Sequence, residues 1–174
     1  METFPRGRTA IAGAATYGIG VNPGMKPMDL AVHAALRALA DANLALTAVD
    51  ALFICLPDDP YAGLTAAEYL GIHPRFTDCN RTGGSAFLSH VITAAMMLDA
   101  GYCDTALIMY GSNQRSGAGG LVSMRENPPY ERPYRPLNPS TSYAFAAARH
   151  MHQFGTTRTQ LAEVAVAARA WANL

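Results

Sequence analysis

The sequence predicts an α/β fold: a largely parallel sheet wrapped around a buried central helix. Three observations predict it. Ala51–Leu56 (ALFICL) and Thr105–Tyr110 (TALIMY) are continuous apolar runs, the pattern of strands covered on both faces. Stretches of helical period alternate with them, as in βαβ units with right-handed crossovers. Between the two runs lies Phe76-Thr77-Asp78-Cys79-Asn80-Arg81-Thr82-Gly83-Gly84-Ser85-Ala86, which reads as a short strand, a glycine turn and the start of a helix reaching Gly101. From Ala86 to Leu98 only Ser89, His90 and Thr93 are polar, so this helix is apolar on nearly all sides and belongs in a core.

In chain order, Thr9–Thr16 (TAIAGAAT) is small and apolar and reads as a buried first strand. Tyr17–Lys26 holds three glycines and a proline and is a loop; Pro27 suits a first helical turn. From Met28 to Asn43, Asp29, His33, Arg37 and Asp41 recur every four residues as a solvated stripe. Leu30, Ala34, Leu36 and Leu39 lie away from it. Asp50 leads into the first apolar run, where Cys55 is a core thiol. Pro57-Asp58-Asp59-Pro60 breaks the strand. Its paired carboxylates resemble an acid–base or metal pair, but adjacent acids between prolines more simply make a solvated turn. Leu64–Leu70 is a short helix stopped by Gly71.

After Gly111 the character changes. Gly117–Gly120 is glycine-rich and five prolines fall between 128 and 139, the composition of a lid or binding loop. Arg115, Arg132 and Arg135 could meet a phosphate there; the plainer reading is a solvated loop. A helix over Ser140–Phe154 follows. Gly155 stops it, and Thr157-Arg158-Thr159-Gln160 is a capping box for another helix still running, uncapped, at Leu174.

The chain has 174 residues, formal net charge zero and only 15% charged residues. A neutral balance excludes the charge signature of nucleic-acid or membrane-surface binders, and the low charge points to surface buried in an oligomer. No apolar run is long enough to span a bilayer. Cys55, Cys79 and Cys103 have no Cys-x-x-Cys spacing, so no zinc or redox signature is present, and the usage fits a reduced cytoplasmic protein. No P-loop, dinucleotide fingerprint or Ser-His-Asp order is found.

Taken in order, the Met28–Asn43 helix, the Asp50–Leu56 strand, Asn80-Arg81-Thr82-Gly83-Gly84-Ser85 before a core helix, the Gly101–Gly111 segment and Phe154-Gly155-Thr156-Thr157-Arg158 resemble the N-terminal half of a thiolase-superfamily protein. The subgroup resembled is the nonspecific lipid-transfer (sterol carrier protein X) type. The resemblance covers nearly the whole chain and rests on order and spacing. It implies a thiolase-like layered α/β core over 1–113 and the start of an inserted loop and helical region over 114–174, cut short.

The resemblance also implies acyl-CoA chemistry beside a thioester carbonyl, with coenzyme A as part of the substrate and no covalently bound cofactor or metal. In the family a cysteine stands in the turn, in a sequence like Asn-x-x-Cys-x-Ser-Gly. Here Asn80 and Ser85 match, while the cysteine position falls on Gly83 and the last glycine on Ala86. The nucleophile is missing. Asn80, Gly83, Gly84 and Ser85 are then expected to bind substrate, with the helix N-terminus holding the thioester oxygen.

Cys79 and His90 remain as candidates for chemistry. Cys79 lies several ångströms of chain upstream and is more simply a structural thiol. His90 is more simply hydrogen-bonded in the core or at an interface. The family's second half would supply further acid–base groups, so 1–174 is expected to be part of a longer or split protein and inactive alone.

Three functions follow as expectations. One is cysteine-independent C–C cleavage, an aldolase-type lyase acting on a lipid or steroid side-chain CoA together with a small zinc-ribbon/OB-fold partner. The others are an acetyl-CoA acetyltransferase, or a non-catalytic lipid- or acyl-CoA-binding subunit. The family also implies a homodimer paired through the Arg75–Cys79 strand.

Overall fold

A computed structural model describes residues 6–57, 59–116 and 128–174. The chain divides into two compact units, 1–122 and 123–174. The first carries α1 (Pro27–Asp41), β1 (Ala51–Cys55), α2 (Ala62–Leu70), β2 (Phe76–Asp78), α3 (Ala86–Asp99) and β3 (Ala106–Tyr110). The three strands form a parallel sheet in the order β2-β1-β3, with Ala51 opposite both Phe76 and Ala106. The α/β class and the parallel sheet are as the sequence predicts.

β1 is central, and all five of its residues are buried. Because side chains alternate across a strand, it feeds two cores. Leu52 and Ile54, with Leu107 and Met109 of β3, pack under Ala31, Val32, Ala35 and Leu39 of α1 and Ala62, Ala66 and Ala67 of α2. Ala51 and Phe53, with Phe76, Ala106 and Ile108, pack under Ala94, Met97 and Leu98 of α3. Burying a side chain such as Phe53 contributes about 3 kcal/mol. Asp50 then ties the strand starts together. Its carboxylate accepts from the backbone N–H groups of Asp104 (2.9 Å) and Thr105 (2.9 Å) and from Arg75 Nη2 (2.6 Å).

The polar stripe of α1 holds, and the exposed His33 ring stacks on Tyr17 at 4.5 Å. Leu36 does not join the buried side; it is exposed, because the sheet meets the face centred on Ala31, Ala35 and Leu39. Gly71 closes α2 in the left-handed conformation (φ 67°). Asp59 accepts from the Tyr61 N–H at 2.8 Å in a turn, and its sequence neighbour Asp58 lies outside the described residues.

Two further expectations are corrected here. Thr9–Thr16 is not a strand, and Ile11 is exposed. These small residues are laid against α1 instead: a Cβ on Gly13 would be 2.3 Å from the Ala38 carbonyl oxygen, and Ala14 N–H donates to Asp41 at 3.0 Å. The central helix is buried along one stripe only. Ala86, His90 and Ala94 face the sheet, while Phe87, Leu88, Val91, Ile92 and Met96 are exposed.

The second unit holds a 3-10 turn at Arg132–Tyr134, α4 (Ser140–Phe154) and α5 (Arg158–Ala172). Gly155 ends α4 at φ 70°, as expected. The capping box forms: Gln160 N–H donates to Thr157 Oγ1 at 3.3 Å, and Thr157 N–H donates to Gln160 Oε1 at 2.8 Å. α5 does not run to the last residue. It stops at Ala172, and the Asn173 N–H caps it on the Ala170 carbonyl. No residue of α4 or α5 is buried. Residues 117–120, read above as a glycine-rich loop, lie outside the described residues.

Candidate active-site turn

The turn between β2 and α3 is built from its ends inward. β2 stops at Asp78, whose carboxylate accepts from both the backbone N–H (3.1 Å) and the side-chain Nδ2 (3.0 Å) of Asn80. This local closure takes the chain out of the sheet without leaving the Asn80 donors unpaired. Asn80 Oδ1 in turn accepts from Ser89 Oγ at 3.3 Å, one turn into α3. Ser89 Oγ also lies 3.1 Å from Thr82 Oγ1 and donates to the Ala86 carbonyl at 2.7 Å. Asp78, Asn80, Thr82 and Ser89 thus form one clasp joining strand end, turn and helix.

The clasp leaves the glycines outside. Gly83 to Ser85 make a single 3-10 turn leading into α3, and all three residues are exposed. Gly83 sits at φ +77°, which L side chains rarely adopt, so the backbone here calls for glycine. Among the described residues, apart from the immediate chain neighbours, no atom lies within 4 Å of a Cβ placed on Gly83 or Gly84. The constraint at Gly83 is conformational rather than spatial, and Gly84 has no such constraint. Ser85 occupies the N-cap of α3 but makes no side-chain cap; its hydroxyl donates to the Thr82 carbonyl at 3.4 Å. The N-terminus of α3 therefore opens beside two glycines, an arrangement that favours negative charge through backbone N–H groups.

Cys79 and His90 sit on either side of this turn. The half-buried Cys79 thiol donates to the Pro60 carbonyl at 3.3 Å and packs against the α1–α2 core. That bond uses the proton a nucleophile would have to lose. His90 is fully buried, with its ring 5.6 Å from that of Phe53. The expected hydrogen bond is not formed: neither ring nitrogen has a partner among the described residues. Burial pushes its pKa below the usual imidazole range, and the Asp78 charge acts in the opposite direction. Burial pushes the Cys55 and Cys103 thiols up, which keeps them protonated.

Asp78 and Ser89 were missed as parts of the site. An acidic residue two before Asn80 is the available sequence signal, since Asx side chains reach backbone N–H groups two residues on. Arg115 belongs to the first unit, and Arg132 and Arg135 to the second. Among the described residues no group of three or more His, Cys, Asp or Glu is placed to hold a metal ion. No described helix is long and apolar enough to cross a membrane.

No protein-family model matches the chain. It is 32% identical over 94% of its length to a 17-hydroxy-3-oxo-4-pregnene-20-carboxyl-CoA lyase of Mycobacterium tuberculosis, covering 45% of that protein. It is 30% identical over 97% of its length to a steroid side-chain-cleaving aldolase of Thermomonospora curvata, covering 46% of that protein. Among solved structures it matches an Ltp2-ChsH2(DUF35) aldolase with TM-score 0.69 and 28% identity. That match spans 85% of this chain and 39% of the other. The chain therefore spans about half the length of the curated relatives it matches, and it shares its α/β fold with the aldolase.

Proposed function

We propose that this chain carries part of a thiolase-superfamily lyase that cleaves a C–C bond in the side chain of a lipid or steroid CoA thioester without a cysteine nucleophile. The observation that carries the reading is the turn at Gly83 and Gly84. It is a helix N-terminus with open space in front of it and no nucleophile in it, in a chain similar over nearly its whole length to two C–C lyases.

In a retro-aldol cleavage the bond broken lies between the α and β carbons of the acyl group. The electron pair passes into the thioester carbonyl as an enolate, and a base removes the β-hydroxyl proton. This needs stabilisation of an oxyanion, which backbone N–H groups at the α3 N-terminus can supply, and no acyl-enzyme. Asn80, Gly83, Gly84 and Ser85 are the residues of this chain assigned to the thioester. The acid–base groups are assigned to chain beyond 1–174, so these residues alone are expected to bind and not turn over. Coenzyme A enters only as part of the substrate.

The solved relative is a complex by its name, and a small zinc-ribbon/OB-fold partner is proposed here by the same likeness. β2 forms one edge of the sheet, which supports homodimer pairing through Arg75–Cys79.

The test is cleavage of a β-hydroxyacyl-CoA by the full-length protein with its partner, before and after iodoacetamide. The proposal expects release of the ketone or aldehyde fragment and the shortened acyl-CoA, with the rate unchanged by alkylation. Loss of turnover on alkylation, with an acyl adduct on Cys79 by mass spectrometry, would establish the acetyltransferase reading in its place.

A further inference from the structure

A buried histidine with both ring nitrogens unpaired is costly, because even a neutral imidazole carries one donor and one acceptor that water would otherwise satisfy. His90 stands in that state among the described residues, fully buried with its ring 5.6 Å from that of Phe53. It follows Ser89, the α3 residue that grips Asn80 and Thr82. Among the described residues the acidic group that acts on it is Asp78, which anchors Asn80 from the strand side. The clasp is thus held on the helix side by the residue that adjoins His90 in sequence and on the strand side by the acid whose charge acts on its ring.

We propose that His90 is a positioning residue whose protonation opens the clasp, so that the turn before α3 is ordered when His90 is neutral and released when it is charged. An imidazolium cannot remain where the ring now lies without a partner. Two responses are available, and both loosen the turn. Asp78 can swing to the new cation, giving up Asn80 N–H and Nδ2. Alternatively α3 can lift to wet the ring, carrying Ser89 away from Asn80 and Thr82.

Few other groups can intervene. On the strand positions that alternate toward α3, β1 carries only the Cys55 thiol and β3 the Tyr110 phenol, while Cys103 lies in the same core and is neutral. Arg81 is the cation of the turn and Asp99 the acid at the far end of α3. Among the described residues, Asp78 is the charged group that acts on His90, and its charge favours the imidazolium.

The inference concerns the order of the turn and does not depend on which reaction the turn serves. It is tested by NMR on the full chain, following the five histidine rings and the Asn80 side-chain amide from pH 8 to pH 5. The expected result is that His90 takes up its proton below the usual imidazole range, and that the Asn80 Nδ2 resonances move with the same midpoint. Corrected hydrogen exchange of amides 80–86 should rise at least tenfold across that step. In His90→Phe, which keeps the ring volume, exchange at 80–86 should be independent of pH. Where that variant does not fold, His90→Gln serves the same purpose. An Asn80 amide that ignores the His90 midpoint, or an equal rise in exchange in the variants, overturns the proposal. A purely structural histidine would alter stability in the variants but would not link Asn80 to a proton.

Discussion

Removing the Asp50 carboxylate tests the joint from which all three strands start. The side chain is 17% exposed and accepts from two backbone N–H groups and from Arg75. A hydrogen bond to a charged group contributes about 1.5–3 kcal/mol. The Arg75 pair adds only about 0.5 kcal/mol, because that side chain is 62% exposed. The three bonds share one carboxylate and do not add fully. Asp50→Ala is therefore expected to lose about 2–4 kcal/mol, and Asp50→Asn, which keeps one acceptor oxygen, about half of that.

The pH dependence has a definite sign. Burial opposes ionisation of Asp50, but the Asp104 and Thr105 N–H groups and Arg75 outweigh it and hold the pKa below the usual carboxylate value. The unfolded chain therefore binds the proton first as pH falls. The stabilisation is fully present above about pH 4 and is lost on descending through the lower folded value. Urea unfolding at pH 6 and pH 3 should show the gap between the native protein and Asp50→Asn closing at the lower pH. A gap below 0.5 kcal/mol at pH 6, in order-of-magnitude terms the level of a surface pair, or one of constant size at both pH values, would refute the reasoning.

Other substitutions test the packing and the turn. Gly111→Ala should cost about 3 kcal/mol in thermal or urea unfolding, because its Cβ would stand 2.0 Å from the Pro27 carbonyl oxygen and 2.9 Å from Ala31 Cβ, forcing α1 away. Gly83→Ala should cost about 1–2 kcal/mol for its left-handed backbone. Gly84→Ala, with open space and no such φ, should be neutral within about 0.5 kcal/mol, and equal losses at the two sites would contradict the geometry. Cys79→Ser keeps a donor for the Pro60 carbonyl and should leave the cleavage proposed for the full-length protein within twofold; a hundredfold loss would restore Cys79 as a nucleophile. If the proposed dimer pairs through β2, Thr77→Glu, exposed on that edge strand, should give monomers by light scattering without unfolding the protein.

Which parts of this architecture could be read in advance follows from the physics of each segment. β1 and β3 announce themselves because strands covered on both faces need apolar residues at every position. The α2 and α4 ends are legible because Gly71 and Gly155 take conformations other residues avoid. Thr9–Thr16 misleads because Ala and Gly satisfy an apolar pattern without β-branched side chains to favour a ladder. The same small residues allow close approach to α1, which is the contact they make. The turn could be located from its glycines, but the Asp78–Asn80–Ser89 clasp could not. Its members are common polar residues whose pairing depends on where β2 and α3 put them.

The contrast within α3 links fold to function. Its composition is apolar on nearly all sides, yet the sheet covers only the stripe through Ala86, His90 and Ala94. Composition records that a helix is suited to burial; it does not record which surfaces bury it. The N-terminus of the same helix shows the complementary case. There the side chains recede: Gly83 and Gly84 place nothing in front of the backbone, Ser85 turns its hydroxyl back to Thr82, and the polar contacts are drawn below into the clasp. A turn arranged in this way offers main-chain N–H groups to charge on a bound oxygen. A side-chain nucleophile would need a residue at Gly83 that its backbone disfavours. The glycine and the left-handed backbone at position 83 are therefore consistent with each other, and the chemistry proposed for the turn is the kind such a backbone can perform.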